Sequence, residues 1–177
     1  MADVKTGYNP LFLREEELRQ AMELLFFAYR DFTRVPDQIL AKHGFGRAHH
    51  RVIYFVGREP GITVSDLLRL LQITKQSLSR VLSQLVREGF IEQKTGTKDR
   101  RQRRLDLTEK GRALERELSE NQRRLIAAAY REAGAEAVEG FRRVMLGMIE
   151  EGDRRRFDRR EGQPDSGPGP RPRRLAR

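Results

Sequence analysis

The chain has 177 residues and a net charge of +10; 35% of its residues are charged, 37% are hydrophobic, and none is tryptophan. This length provides one domain with a real core or two small lobes. The low hydrophobic fraction favours an elongated helical protein over a compact enzyme, and the positive charge favours a polyanionic partner. The sequence contains no cysteine, which excludes disulfides, thiolate zinc sites and cysteine-based redox sensing.

The sequence predicts neither a membrane span nor a secretion signal. Its longest apolar run, residues 24–29, is far shorter than the roughly 20 residues needed to cross a bilayer. Residues 1–4 lack the basic start and apolar stretch of a signal peptide. We therefore expect a cytoplasmic protein with no membrane partner.

The N-terminal region predicts a flexible arm over residues 1–10 and a dimerisation helix over residues 11–34. The apolar positions of this helix cover more than one face, so it needs two neighbours to bury them. A helix between two subunits would have those neighbours. The alternative is an ordinary core helix of a monomer.

A break at Val35-Pro36 is expected to end this helix, with a short helix over residues 37–43 and another over residues 47–57. His49 and His50 raise the question of a metal or haem site. Adjacent residues point to different faces of a helix, and no cysteine or carboxylate joins them at a recognised ligand spacing. The sequence therefore predicts no metal and no cofactor.

Residues 37–107 are predicted to form a DNA-binding domain around a helix-turn-helix. A support helix runs from Thr63 or Ser65 to Leu71, and residues 72–74 form the short connection that this motif requires. The second helix has an N-cap at Thr74 and a stop at Gly89. Its buried stripe follows the helical spacing i, i+3, i+4, i+7 and consists of Leu78, Val81, Leu82 and Leu85.

The outer face of this second helix carries no carboxylate. Arginine, glutamine and serine are side chains that bind base edges and phosphates in a major groove. The candidate DNA-binding residues here are Thr74, Lys75, Gln76, Ser77, Ser79, Arg80 and Ser83. A polar face on a single helix is usually just solvated, so the DNA interpretation depends on the segment that follows.

That segment predicts a basic β-hairpin. Phe90-Ile91 and residues 105–107 supply its apolar base, and residues 95–99 hold the turn chemistry. Such a charge concentration is suited to lie beside phosphates. The candidate DNA-binding residues of the hairpin are Lys98, Arg100, Arg101 and Arg103. A helix, turn, helix and basic hairpin make a winged helix, so the expected fold is mainly α with a small β wing.

Residues 108–151 are predicted as C-terminal dimerisation helices, capped by Thr108 and broken at Gly134. The expected dimer interface consists of Leu18, Leu25, Leu118, Leu125, Phe141, Val144, Met145 and Met148. Residues 152–177, rich in arginine, proline and glycine, are predicted as a disordered tail. This tail is either simply solvated or adds non-specific DNA affinity.

The sequence resembles the MarR family of bacterial transcription regulators. The similarity is carried by residues 74–91, by Lys-Asp-Arg-Arg at 98–101 and by Leu-Thr-Glu-Lys-Gly at 107–111. Residues 46–55 are also similar to a PetP-like branch of that family. The resemblance implies a homodimer with one winged-helix DNA reader in each subunit, and control of promoter occupancy that often uses a small ligand.

The function predicted is sequence-specific binding of double-stranded DNA at a pseudo-palindromic operator. A small-molecule effector is a weaker expectation, with candidate ligand-binding residues Phe26, Tyr29, His49, His50 and Tyr54. The alternative is a basic architectural or RNA-associated protein without sequence specificity. No catalytic residue is predicted, because no Ser/His/acid order, glycine-rich phosphate loop or paired-carboxylate motif stands out.

Overall fold

A computed structural model describes residues 13–95 and 102–158. The elements are α1 (Glu15–Ala41), α2 (Arg47–Arg58), β1 (Ile62–Thr63), α3 (Val64–Leu71), α4 (Lys75–Arg87), β2 (Ile91–Thr95), β3 (Arg103–Leu107), α5 (Glu109–Met148) and α6 (Glu151–Asp158). The predicted mainly α fold with a small β wing is confirmed. The chain divides into two compact units, one up to Ala127 and one from Ala128 onward.

The helix-turn-helix has the boundaries that the sequence predicted. Thr63 caps α3, because its hydroxyl accepts the Asp66 N–H at 3.1 Å. The helix ends at Leu71, and the following residue, Gln72, adopts the left-handed conformation with φ 49° and ψ 44°. Thr74 then caps α4 by accepting the Ser77 N–H at 3.2 Å, and Gly89, with φ +75°, lies just past its end.

The wing is a three-stranded antiparallel sheet in the order β1-β3-β2. Ile91 pairs with Leu107 in the predicted hairpin, and Ile62 pairs with Leu105 on the other side of β3. The sequence predicted the hairpin but missed β1. Two residues are too few to show the alternation by which a half-buried strand is recognised.

The core of the first unit joins α2, α3, α4, the sheet and the start of α5. Its fully buried members include Val52, Leu67, Leu85 and Leu105. At the start of α5 a Cβ on Gly111 would overlap the Phe90 carbonyl, so the helix packs directly against the backbone that follows α4. This close packing fixes α3 and α4, the two helices of the helix-turn-helix, to the first half of α5.

The prediction that the first helix ends at Pro36 is wrong, because α1 continues through it to Ala41. Proline has no N–H, so the carbonyl four residues earlier loses its helical donor. That carbonyl belongs to Phe32, and Gln122 Nε2 of α5 donates to it at 3.3 Å. Gln122 is 8% exposed. A buried amide therefore supplies the donor that Pro36 lacks.

The second unit also corrects the predicted tail. The expected break at Gly134 is present, with φ 80° and ψ 167°. Residues 152–158 of this tail, however, belong to α6 instead of being disordered chain. Acidic residues in its first turn and basic residues in its last turn suit the helix dipole, and the prolines begin only at Pro164. Residues 159–177 of the predicted tail lie outside the described residues.

The residues predicted for a dimer interface differ in their exposure. Leu118 is fully buried in the core of the first unit, so it offers no surface to a second subunit and that assignment is corrected. Met145 is half-buried. The exposed members are Leu18, Leu25, Leu125, Phe141, Val144 and Met148.

Between residues 13 and 95 and between 102 and 158, no helix combines the length and apolar character that crossing a lipid bilayer demands.

The contact between Gln122 and Phe32 gives a stability prediction. Replacing Gln122 by methionine, which has a similar volume, leaves the part-buried Phe32 carbonyl without this donor and is expected to cost about 1–3 kcal/mol. The free energy of unfolding is measured by urea titration at fixed protein concentration. The control is the same change in a Pro36→Ala background, where the new N–H can serve the carbonyl.

In that background the Gln122→Met change should cost about 1 kcal/mol less, as a double-mutant cycle would reveal. Equal costs in the two backgrounds would contradict the assignment of Gln122 to the proline-derived carbonyl.

Candidate nucleic-acid interface

The α4 helix presents one face to the core and the opposite face to solvent. Leu78, Val81, Leu82 and Leu85 are buried, which fixes the rotation of the helix. The outward residues are Lys75, Gln76, Ser79, Arg80 and Ser83, all exposed. No carboxylate occurs between Lys75 and Arg87, so nothing on the helix itself would repel a phosphate backbone.

Two predicted site residues have a structural task at the start of α4. The Thr74 hydroxyl accepts the Ser77 N–H and also donates to the Ser77 hydroxyl at 2.9 Å. These hydroxyls are engaged with each other in the cap. Arg80 differs, since no ion pair or side-chain hydrogen bond with another described residue holds it. Its guanidinium is therefore available for a base edge or a phosphate.

The described strands of the wing are close to charge balance. Lys94 forms ion pairs with Glu92 at 2.8 Å and with Asp106 at 3.4 Å, and the hydrogen bond that Lys94 donates to Glu92 is the main reason that the pKa of Lys94 is raised. Arg103 is a predicted DNA-binding residue, and its Nη1 donates a hydrogen bond to Gln93 Oε1 at 3.4 Å. The predicted residues Lys98, Arg100 and Arg101 lie outside the described residues.

A histidine on α2 contacts α4 directly. His49 Nδ1 accepts the Gly46 N–H at 3.1 Å, so a neutral imidazole carries its proton on Nε2. That nitrogen lies 3.0 Å from Gln84 Oε1 on α4. Phe45 stacks on the imidazole with the ring centroids 4.8 Å apart. The arrangement ties the start of α2 to the last turn of α4.

A cavity of about 560 Å³ opens in the first unit between α1, α2 and the first half of α5. Of the predicted ligand-binding residues, Tyr29, His50 and Tyr54 line it. Phe26 and His49 are not among the lining residues; Phe26 is 71% exposed to solvent, and the His49 ring contacts Gln84 of α4. The remaining lining residues are Phe32, Thr33, Arg47, Arg51, Phe55, Ser119, Gln122, Arg123 and Ile126.

The cavity is mainly apolar, and its lining includes aromatic and basic side chains. Three arginines and two tyrosines line it, with no carboxylate among the lining residues. Burial is the main cause that lowers the pKa of His50, against the opposing fields of Asp37 and Glu115. A lowered pKa favours the neutral imidazole, which can both donate and accept a hydrogen bond. The chemistry suits a small planar anion.

Sequence reasoning missed the arginines of α2. Arg47 forms an ion pair with Asp37 of α1 at 2.8 Å, and Arg51 Nη2 donates to the Leu71 carbonyl at the end of α3 at 2.9 Å. Their spacing of four residues places them on one side of a helix, which was a usable signal. What each contacts across the fold was not readable from spacing.

Within the ranges that the structure describes, no group of three or more histidine, aspartate or glutamate side chains is placed to hold a metal ion.

The short connection between α3 and α4, the outward face of α4 and the three-stranded sheet define a winged helix-turn-helix protein. A model of the MarR family matches residues 43–102. The chain is 54% identical, over 151 residues, to the HTH-type transcriptional regulator PetP of Rhodobacter capsulatus, covering 85% of this chain and 91% of that relative. The chain therefore belongs to the MarR family of helix-turn-helix transcriptional regulators.

Solved structures share the fold at low sequence identity. FabT of Streptococcus pneumoniae, solved in complex with DNA, has a TM-score of 0.66 and 20% identity over 74% of this chain and 94% of that chain. MarR of Staphylococcus aureus, solved in complex with salicylate and kanamycin, has a TM-score of 0.62 and 18% identity over 77% of this chain and 95% of that chain.

Proposed function

We propose that this protein is a homodimeric transcription regulator that binds double-stranded DNA at a pseudo-palindromic operator and releases it in response to a small ligand. The observation that carries the proposal is the carboxylate-free outward face of α4, in a chain that belongs to a family of transcriptional regulators. The DNA complex of FabT, which shares the fold, supports the same use of the reader here.

Base recognition is assigned to the outward face of α4. Gln76, Ser79, Arg80 and Ser83 face outward, and side chains of these types pair with base edges in the major groove. The residues at the helix start, Thr74, Lys75 and Ser77, lie at the positive end of the helix dipole and suit a phosphate. Lys98, Arg100, Arg101 and Arg103 are assigned to the DNA backbone or minor groove beside the wing.

A twofold dimer is supported by apolar surface that a single subunit leaves in water. In the first unit Leu18 is 48% and Met22 57% exposed, and in the second Phe141 is 50% and Val144 63% exposed. Covering such surface is the usual drive for association. In a symmetric dimer the two α4 helices would enter successive major grooves about 34–36 Å apart.

Ligand control is supported by the cavity. A small aromatic carboxylate would match its arginines by charge and its tyrosines by stacking. Salicylate has this chemistry and is named in the complex of the Staphylococcus aureus family member. The cavity lies on α2, the helix that also contacts α3 and α4, so an occupant is well placed to affect the reader.

Sequence specificity is tested by selecting the most tightly bound duplex from a random library. The affinity for this selected duplex is then compared with the affinity for unrelated DNA. We expect a ratio of about 10³ or more at physiological salt. A ratio near one, or tighter binding to RNA, would instead favour the architectural or RNA-associated alternative.

On the selected duplex, Arg80→Ala is expected to weaken binding by about 1–3 kcal/mol and to relax base preference at one position, provided that Arg80 contacts a guanine. Arg101→Ala is the matched comparison. It should weaken binding to all sequences and flatten the dependence of log affinity on log salt by about one unit. Unchanged operator affinity in Arg80→Ala would remove Arg80 from the interface.

The dimer is tested with Leu25→Glu, which places a carboxylate in the proposed apolar interface. Because burying an unpaired charge is costly, the dissociation constant of the dimer should rise by at least about tenfold, equivalent to about 1.4 kcal/mol. Sedimentation velocity measures the subunit equilibrium. Gln20→Glu adds the same charge at an exposed polar position of α1 and should leave the dimer intact. A monomeric wild-type protein would contradict the proposal.

A further inference from the structure

Arg51 contacts both the cavity and the helix-turn-helix. It lines the cavity from α2, and its Nη2 donates to the carbonyl oxygen of Leu71 at 2.9 Å. Leu71 is the last residue of α3 and is 3% exposed. One side chain therefore connects the cavity with the end of the helix that supports the reader.

The Leu71 carbonyl lies at a sensitive point of the chain. The last carbonyls of a helix have no partner within the helix, and a cation at this end is favoured by the helix dipole. The next residue, Gln72, is left-handed, a conformation that is uncommon for residues other than glycine. Residues 72–74 then lead into α4. The bond from Arg51 thus holds the turn that sets where α4 begins.

We propose that Arg51 is the positioning residue through which an anion in the cavity acts on the recognition helix. This inference rests on the ligand control proposed above. A guanidinium has five N–H donors in a planar fork and binds a carboxylate through two parallel bonds, which are stronger than a bond to a neutral carbonyl. A carboxylate in the cavity draws the guanidinium away from Leu71, the turn loses its anchor, and operator affinity falls.

Arg47 provides a matched comparison in the same cavity. It lies one helical turn before Arg51 and also lines the cavity, but Asp37 Oδ2 accepts from its Nη2 at 2.8 Å and from its Nε at 3.0 Å. Asp37 belongs to α1, so this pair links α1 to α2 and does not reach α3 or α4. The two arginines have the same charge and line the same cavity, but Arg47 binds Asp37 of α1 and Arg51 binds the Leu71 carbonyl of α3.

The experiment compares wild type, Arg51→Gln, Arg51→Lys and Arg47→Gln on the selected duplex, with and without salicylate. In wild type we expect salicylate to weaken operator binding by a factor within the usual range of about 5–150-fold. Arg47→Gln should bind salicylate more weakly and yet show the same limiting factor at saturation. Arg51→Gln should bind the operator more weakly without ligand, with an unchanged salt slope, and its factor should fall towards one.

Arg51→Lys separates positioning from a general loss of structure. A lysine ammonium can still donate to Leu71 but cannot bind a carboxylate through a planar fork. Operator affinity without ligand should therefore return to within about twofold of wild type, while the salicylate factor stays reduced. Equal factors in Arg51→Gln, Arg51→Lys and wild type would overturn the proposal, as would equal losses in the Arg47 and Arg51 variants.

A wild-type protein that does not respond to salicylate would count against the proposed ligand control, and the role of Arg51 is then decided without ligand. Amide hydrogen exchange at residues 72–75 should be faster in Arg51→Gln than in wild type and unchanged in Arg47→Gln, with operator affinity lowered only in the former. Unchanged exchange and affinity in Arg51→Gln would overturn the positioning role itself.

Discussion

The burial of one apolar stripe on α4 decides which of its side chains can meet DNA. Leu78, Leu82 and Leu85 lie in the core, so the helix cannot rotate without exposing them to water, at a cost of about 1.5–3 kcal/mol for each buried side chain. The outward position of Arg80 is a consequence of that burial. The polar contacts of α2 with α3 and α4 then restrict the smaller adjustments that packing alone leaves free.

Rules that use only neighbouring residues were sufficient to predict the helix-turn-helix but not where α1 ends. The cap at Thr74, the helix stop at Gly89 and the helical spacing of leucines are all properties of neighbouring residues, so the sequence predicted them. The continuation of α1 through Pro36 depends on Gln122, a residue distant in sequence whose amide replaces the missing donor. A rule that uses only the neighbours of a proline has no access to such a partner.

The candidate site was likewise predictable only where it depends on residues within one helix. The exposed face of α4 could be predicted because it is the complement of a buried stripe on the same helix. The cavity could be predicted only in part, since Tyr29, His50 and Tyr54 line it while His49 turns to Gln84. The role of Arg51 at the end of α3 required knowing which helices pack together. Contacts between elements are set by the direction of each side chain, which spacing alone does not provide.

The contacts of α2 also limit how the reader can be transplanted. Val52, Ile53 and Val56 are wholly buried in the shared core, and the polar anchors of the two reader helices come from the same element. A fragment cut immediately before β1 would keep the helix-turn-helix residues and discard what fixes them in place. A chimaera built to have the DNA specificity of this protein therefore needs a donor segment that begins before Phe45. Such a segment includes α2 together with the helix-turn-helix that α2 holds in place.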